Sequence, residues 1–297
     1  MKKDRRMAKK TKYDRTVEDL GNIVFLEHLN VKAPDQRLST IFYVMGLGLT
    51  RDPYLVTGIN NMWINCGKSQ FHLPTGPAQV LRGLTGLVIP GREALLERLE
   101  MVKDDLAQTS FMFAEKKDHV EVVCPWGNRF KVHEPGPKFP GMMLGMPYME
   151  VNAPKGSSSG IARFYEEILD TPASAGKTSA TVSVGPGQKI IFKETSKKLA
   201  DYDGHHVAIY LANFSRPYEK LLKLGLITEE SDQHQYRFLD IVDLKSKKPL
   251  VRLEHEVRSM RHPLYAREHT NRNPNISNRV YAPGHQDAVY ASAPVSL

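Results

Sequence analysis

Apolar residues recur along the chain in a pattern that predicts a strand, an amphipathic helix and further strands, repeated four times. The first unit opens with the apolar run NIVFLEHLN, and Asp35 is positioned to cap the helix that follows. The apolar side of this helix is expected to consist of Leu38, Ile41, Phe42 and Met45. Gly46 and Gly48 should end the helix. Two strands are predicted after it, near Leu55–Thr57 and over Asn61–Leu73.

The other three units follow the same order and open with LTGLVIPG, YMEVNAPK and HHVAIYLANF. Their equivalent opening positions are spaced by 56, 64 and 58 residues, at His28, Leu84, Tyr148 and His206. One helix and a small sheet with a single apolar face cannot bury that face alone. We therefore expect the units to pair, so that two sheets curl around a shared cleft. The predicted fold class is α+β, with four β-α-β-β-β units paired into two domains.

Changes in composition mark the expected domain boundaries. The Pro- and Gly-rich stretch PGPKFPGMMLGMP, residues 135–147, is predicted to join two halves. The first domain is expected over residues 21–140, with units 1 and 2, and the second over residues 141–268, with units 3 and 4. Residues 1–20 are predicted to form a basic disordered arm. Residues 269–297, where the apolar periodicity ends, are predicted to form a C-terminal tail.

The composition is that of an ordinary globular protein, with 41% hydrophobic and 25% charged residues, which excludes fibrous and wholly disordered classes. No apolar run approaches the roughly 18 residues of a membrane span. The amino terminus lacks the apolar segment of a secretory signal, so neither membrane insertion nor secretion is expected. The two cysteines, Cys66 and Cys124, are too few for a disulfide framework or a cysteine-based zinc site. Their number favours a cytoplasmic location.

The net charge of +8 is concentrated at the amino terminus. Residues 1–16 hold eight Lys and Arg residues against two acidic ones, so the rest of the chain carries only two of the eight net positive charges. A short basic run of this kind is typical of a solvated arm. Nucleic acid is therefore not an expected partner, and the expected partner is a small-molecule substrate.

Short motifs stand at matching places in the units. His28 is followed seven residues later by Asp35, and the first helix closes with GLGL. The second unit contains CPWGNRF, the third ARFYEEILD and the fourth GHHVAIYL. Together these motifs resemble the vicinal oxygen chelate superfamily, which includes glyoxalases, bleomycin-resistance proteins and extradiol dioxygenases. The resemblance covers roughly residues 22–268, with Cys124 standing where the family has aspartate, and it implies a tandem two-domain member.

The resemblance also implies where a metal would bind. Members that bind one take ligands from the start of a unit's first strand and from its last strand. On that basis the predicted metal ligands are His28, His72, His206 and Glu254. Imidazole and carboxylate ligands suit a divalent ion, with Fe(II) expected first and Mn(II), Ni(II) or Zn(II) as alternatives.

Three of these choices have alternatives, which are Gln70 for His72, Glu256 for Glu254 and His205 for His206. Strand alternation puts the members of each of the first two pairs on one face and does not separate them. In the third pair, the spacing of seven residues to Asn213 favours His206, because it matches the spacing from His28 to Asp35.

These ligands do not form a full set when the units pair as sequence neighbours. In units 3 and 4, Tyr148 occupies one of the histidine positions of extradiol dioxygenases. Some fused glyoxalase-like proteins instead pair unit 1 with unit 4 and unit 2 with unit 3. That pairing would assemble the predicted ligands at one site and leave units 2 and 3 with none.

The resulting prediction is a divalent-metal-dependent enzyme that acts on an oxygen-bearing small molecule, as a dioxygenase or as a glyoxalase-like lyase or isomerase. Three protein ligands would favour Fe(II) and oxygen chemistry, and four would favour isomerase or lyase chemistry. The predicted catalytic residues are Glu254, Glu256, Tyr148 and Tyr210, and the predicted substrate-binding residues are Arg258, His262 and Tyr265. The alternative is a metal-free protein that sequesters a small ligand, as bleomycin-resistance proteins do. A homodimer is compatible with the sequence.

Overall fold

The computed structural model describes residues 13–52, 60–267 and 269, and in it each predicted unit has the order strand, helix and three strands. The expected strand near Leu55–Thr57 lies outside the described residues, as do residues 1–12 of the predicted arm and the predicted tail after His269. The described part of the arm includes a short 3-10 helix, Arg15–Glu18.

The first two units supply eight of the strands. Unit 1 consists of β1 (Ile23–Asn30), α1 (Gln36–Ser39), β2 (Thr50–Arg51), β3 (Asn61–Cys66) and β4 (Ser69–Pro74). Unit 2 consists of β5 (Gly83–Val88), α2 (Arg92–Met101), β6 (Met112–Glu115), β7 (Val120–Val123) and β8 (Arg129–His133).

The last two units repeat this order. Unit 3 consists of β9 (Gly145–Pro154), α3 (Ser158–Leu169), β10 (Ala173–Ala175), β11 (Ser179–Gly185) and β12 (Gln188–Thr195). Unit 4 consists of β13 (His206–Leu211), α4 (Ser215–Lys223), β14 (Ile227–Asp232), β15 (Gln235–Val242) and β16 (Pro249–Ser259).

The strands form two eight-stranded mixed sheets. The first sheet has the order β14-β15-β16-β13-β1-β4-β3-β2 and therefore joins units 1 and 4. The second sheet has the order β10-β11-β12-β9-β5-β8-β7-β6 and joins units 2 and 3. Residues 21–140 and residues 141–268 thus each contribute strands to both sheets. The predicted α+β class with paired β-α-β-β-β units is confirmed.

The aromatic packing connects the units in a different way from the sheets. Phe42 and Phe71 of unit 1 contact Phe130 of unit 2, with ring centroids 5.8 Å apart in both pairs. In the same way Phe164 of unit 3 contacts Phe238 of unit 4 at 5.9 Å. All five rings are buried. Units that are neighbours in sequence therefore share a core, while units from different halves share a sheet.

The helix ends agree with the sequence in part. The Asp35 side chain accepts a hydrogen bond from the Leu38 N–H at 3.0 Å, which makes it the predicted N-cap. After Ser39 the helix continues as a π-helix, Thr40–Gly46, which the apolar spacing does not predict. In unit 4 the Asn213 side chain accepts a hydrogen bond from the Arg216 N–H at 3.1 Å, at the amino-terminal end of α4.

One buried amide links the two sheets. The Gln188 side chain accepts a hydrogen bond from the Leu26 N–H and donates to Ser69 and to the Met146 carbonyl, at 3.1, 2.9 and 3.2 Å. Because these partners lie on β1, β4 and β9, Gln188 fixes the first sheet against the second.

Along the described ranges, none of the helices has the length and the apolar content needed to cross a bilayer.

Candidate metal centre

Two histidines, one from unit 1 and one from unit 4, face each other at the centre of the first sheet. In the antiparallel pair β1–β13, His28 lies opposite Ala208, and His206 lies opposite Asn30. Residues two apart on a strand share a face, so both imidazoles project on the same side of the sheet. Their ring centroids are 5.9 Å apart. We call this side of the sheet the first cleft.

A carboxylate completes the group. Strand β16 runs parallel to β13 and places Glu256 beside Ala208, in the same row as His28. One ligand atom each from His28, His206 and Glu256 lies within 4.8 Å of the other two. All three residues are buried, with 0%, 8% and 3% of their surface exposed. The group therefore offers two imidazoles and one carboxylate that are buried on one side of the first sheet.

The donor atoms of this group fit a divalent metal. The Nε2 atoms of His28 and His206 are buried and make no hydrogen bond to any of the described residues. The His206 Nε2 atom is 3.5 Å from the nearer Glu256 oxygen. Two ligands of a tetrahedral ion with bonds of about 2.1 Å lie about 3.4 Å apart. Buried nitrogen atoms without a partner carry a desolvation cost that a bound cation would remove.

A buried ionic network surrounds His28. The Glu27 carboxylate lies 3.0 Å from His28 Nδ1 and accepts a hydrogen bond from the Tyr210 hydroxyl at 2.7 Å. Arg258 forms ion pairs with Glu27 and, at 2.6 Å, with Glu256. A carboxylate on Nδ1 fixes the imidazole so that Nε2 faces the cleft, which is the usual arrangement behind a metal-binding histidine.

The network keeps its acidic groups ionised and its imidazole neutral. Burial acts to raise the pKa of Glu27, but Arg258 and the hydrogen bond from His28 outweigh it and lower that pKa to about 2. In Glu256 burial likewise opposes ionisation, and the neighbouring His206 and Arg258 side chains lower the pKa. Burial lowers the pKa of His28. These protonation states are the ones in which carboxylates and imidazoles bind metals.

His72 lies beside the group. Its ring stacks on Trp63 at 3.9 Å and is 5.7 Å from the His28 ring. Its Nδ1 atom is 2.6 Å from the Asn30 amide nitrogen, and its Nε2 atom has no hydrogen-bond partner in the described part of the chain. Burial, followed by the charges of His28 and His206, lowers the pKa of His72 to about 2.

The alternative to His72, Gln70, is engaged elsewhere. Its amide nitrogen donates to Asp52 at 2.8 Å and to Asn65 at 2.6 Å, and its oxygen accepts from Arg267 at 3.1 Å. Of the two residues, His72 is therefore the one with an atom available to bind a metal, its Nε2.

The alternatives for the other two positions also differ in their contacts. Glu254 accepts a hydrogen bond from Arg237 at 2.8 Å, lies 3.5 Å from His206 Nδ1 and is more exposed than Glu256. Arg237 also donates to Glu256, at 2.6 Å. His205 is fully buried and bonds to Asp203 at 2.5 Å, on the other side of the strand from His206.

The remaining predicted site residues lie in different surroundings. His262 and Tyr265 pack against the Tyr210 ring, at 6.2 and 4.9 Å between ring centroids. Tyr148 lies in the second sheet, where its hydroxyl is 2.8 Å from His133 Nε2. The structure thus brings the other predicted residues to the first cleft and places Tyr148 apart from them.

Sequence reasoning missed Glu27 and Arg237. Glu27 had a usable signal, since it is an acidic residue inside the apolar run NIVFLEHLN and directly precedes His28. Arg237 had none, because its contacts depend on how β15 pairs with β16.

Paired β-α-β-β-β units in two mixed sheets define the class of fold: the chain has the vicinal oxygen chelate fold in its tandem form. Glyoxalase I from Zea mays is similar over 79% of this chain and 92% of its own, with 11% sequence identity and a TM-score of 0.56. A proposed dioxygenase from Bacillus subtilis subsp. subtilis str. 168 is similar over 87% and 89%, with 14% identity and a TM-score of 0.54. No protein-family model and no curated protein sequence matches the chain.

Proposed function

We propose that the chain is a divalent-metal-dependent enzyme acting on an oxygen-bearing small molecule, with His28, His206 and Glu256 as the metal ligands. The observation that carries this proposal is the convergence of two buried, unpartnered imidazole nitrogens and one ionised carboxylate on the same face of the first sheet. It takes Glu256 in place of Glu254, because Glu256 is the more deeply buried of the two and belongs to the close group.

The composition of the ligand set favours Fe(II) and a dioxygenase reaction. Two histidines and one carboxylate with open positions are typical of non-haem Fe(II) oxygenases. An Fe(II) ion held there would supply Lewis acidity and open positions for a substrate that chelates through adjacent oxygens. Of the two similar structures named above, one is a proposed dioxygenase and the other a glyoxalase I. Recruitment of His72 as a fourth ligand would favour glyoxalase-like chemistry instead.

Other residues of the protein would orient the ligands, accept a proton and contact the substrate. Glu27 holds His28 in one tautomer, and Arg258 keeps Glu256 ionised through a direct ion pair. Glu254, at the edge of the group and partly exposed, is the proposed proton acceptor for a substrate hydroxyl. Tyr210 supports Glu27, while His262 and Tyr265 stand over the Tyr210 ring as the proposed substrate contacts.

The test is elemental analysis by mass spectrometry of protein purified without chelators or a His tag and reconstituted with Fe(II) under anaerobic conditions. We expect about one equivalent of metal in the wild type and less than about a tenth of that in His28→Gln, His206→Gln and Glu256→Gln, because a three-ligand site that loses one ligand binds weakly. His205→Gln is the matched control, because it removes a buried imidazole next to His206 that faces away from the cleft.

Metal that is retained in all three variants, or lost equally in His205→Gln, would contradict this ligand set. No metal in the reconstituted wild type would favour a metal-free ligand-binding protein. Loss of metal in His72→Gln as well would add a fourth ligand and turn the search toward glyoxalase-type substrates.

A further inference from the structure

The second sheet carries a cleft of its own. A cavity of about 780 Å³ opens on it, within the size range of small-molecule sites. Its lining includes Lys131, Tyr148 and Lys189 from the sheet, and Phe139 from the segment between β8 and β9. We call it the second cleft.

The register of the strands puts the polar residues of this cleft in one row. On β5, Gly86 lies beside Lys131 of β8 on one side and beside Tyr148 of β9 on the other. Tyr148 in turn lies beside Lys189 of β12. Paired residues on neighbouring strands project on the same face, so Lys131, Tyr148 and Lys189 lie in one row, with Gly86 between Lys131 and Tyr148.

Gly86 allows Tyr148 to cover the centre of this row. A Cβ atom at position 86 would lie 2.3 Å from the Tyr148 ring, a distance that no side chain tolerates. The Tyr148 ring therefore occupies the space that a side chain at position 86 would fill, and it lines the cavity.

The side chains of the second cleft disfavour binding of a metal cation. By strand order and register, the positions of His28, His206 and Glu256 in the first sheet correspond to Tyr148, Leu84 and Lys131 in the second. A lysine ammonium thus stands where the first sheet has its carboxylate ligand. A positive charge at that point repels a cation and attracts an anion.

Two of the three acidic residues that line the second cleft, Glu150 and Asp118, form ion pairs, whereas the third, Asp19, forms none with the described residues. Glu150 forms an ion pair with Lys193 at 2.8 Å, and Asp118 with His119 at 2.7 Å and with Lys138 at 3.9 Å.

Glu121, the neighbour of Lys131 on β7, lies 3.6 Å from Lys116 and 3.7 Å from His119. Within the described part of the chain, Lys131 and Lys189 form no ion pair, so two ammonium groups remain available on either side of Tyr148.

Aromatic surface adjoins these charges. The Phe139 and Tyr148 rings are nearly parallel, 20° apart in orientation and 6.4 Å between centroids. The His133 ring lies 5.0 Å from Phe139. The cleft thus combines two cations with flat apolar surfaces, which together match a small molecule having an aromatic body and one negative end.

We propose that the second cleft binds a small aromatic monocarboxylate, with the carboxylate between Lys131 and Lys189 and the ring against Tyr148 and Phe139. This site goes beyond the proposed function, because it requires neither the metal nor any residue of the first cleft. It gives the tandem protein two clefts of opposite charge preference, one for a cation and one for an organic anion.

The test is a ligand-observed NMR titration of the full-length protein with benzoate and phenylacetate, followed by calorimetry for the tighter binder. Benzyl alcohol and inorganic phosphate are the comparison ligands, since one lacks the charge and the other lacks the ring. We expect Lys131→Met/Lys189→Met to weaken binding of the acid at least tenfold. Lys155→Met, which removes an exposed lysine outside the cleft, should leave binding unchanged.

His206→Gln separates this proposal from the metal site, because the acid should bind that variant as tightly as the wild type. Loss of binding in His206→Gln would place the acid in the first cleft and overturn the proposal. The proposal would also fail if neither acid bound, if benzyl alcohol or phosphate bound as tightly as the acid, or if the double lysine variant bound normally.

Discussion

The two sheets share one topology and differ in the charge of a few side chains. In both, a unit's first strand lies at the centre of the sheet and its last strand lies next to it. In the first sheet these strands carry His28, His206 and Glu256, joined to a buried ionic network. At the same positions the second sheet has Tyr148, Leu84 and Lys131. The fold thus fixes where side chains converge, and residue identity alone decides what they can bind.

The difference extends to the residues that neighbour these positions. Glu27, which precedes His28, corresponds to Pro147 before Tyr148, and Arg258 corresponds by register to His133. In the first sheet these positions hold an ion pair, and in the second a neutral hydrogen bond joins His133 and Tyr148. At these positions the first sheet therefore has buried charged groups, and the second sheet has neutral ones.

The largest expected effect comes from removing the cation of the buried network. Arg258→Met leaves the Glu27 and Glu256 carboxylates without their shared partner. Breaking a buried ion pair in this way costs about 3–5 kcal/mol of unfolding free energy. His133→Met, at the equivalent position of the second sheet, loses one neutral hydrogen bond and should cost only about 1 kcal/mol. Urea unfolding of both variants measures the difference, and a loss in Arg258→Met no larger than that in His133→Met would show that the buried ion pairs stabilise the fold no more than one neutral hydrogen bond does.

A second difference concerns stability in acid. His255 is fully buried, stacks on Phe238 at 4.5 Å and bonds to the Tyr165 hydroxyl at 2.7 Å. Burial lowers its pKa to about 4 from an ordinary value of 6.5. As the pH falls from 6.5 to 4, the unfolded chain takes up a proton that the folded chain does not. Stability is therefore lost over this range, by about 3 kcal/mol at the lower end.

The residue of the second sheet that corresponds to His255 is Phe130, which cannot titrate. His255→Phe should accordingly flatten the fall in unfolding free energy between pH 6.5 and pH 4, whatever it costs at neutral pH. Urea unfolding at half-unit pH steps measures the slope. An unchanged slope in the variant would mean that other groups cause the loss of stability in acid.

The repeat and the fold class followed from the sequence because they depend on local spacing. Apolar periodicity locates strands and helices without knowledge of their partners. The same local reasoning predicted the cap at Asp35 and preferred His206 to His205, whose ring points to the other side of the strand. The choices between Gln70 and His72 and between Glu254 and Glu256 stayed open for a physical reason. Residues two apart on a strand share a face, and only their neighbours in space distinguish them.

The buried ionic network could not be predicted from the sequence. Strand alternation would turn the adjacent residues Glu27 and His28 to opposite faces. The pairing of β1 with β13 shifts register between Leu26 and His28, and this irregularity allows the two side chains to meet. The partner of Glu27, Arg258, lies 231 residues further along the chain. Neither the irregularity nor so distant a contact leaves a periodic signal.

The smallest expected effect tests whether Glu27 serves the proposed metal site or only the fold. Glu27→Gln keeps the shape of the side chain and an oxygen for His28 Nδ1, but removes the charge that holds the imidazole. Loss of such a supporting carboxylate typically weakens metal binding about 10- to 100-fold. Tyr210→Phe is the matched control, since it removes a hydrogen bond to Glu27 without changing any charge, and should weaken binding less. Competition with a chromophoric Zn(II) chelator measures both affinities at a pH where circular dichroism shows both variants folded. An unchanged affinity in Glu27→Gln would mean that the Glu27 carboxylate contributes only to the stability of the first sheet. The difference between Glu27 and Pro147 at the corresponding position would then affect folding and not metal binding.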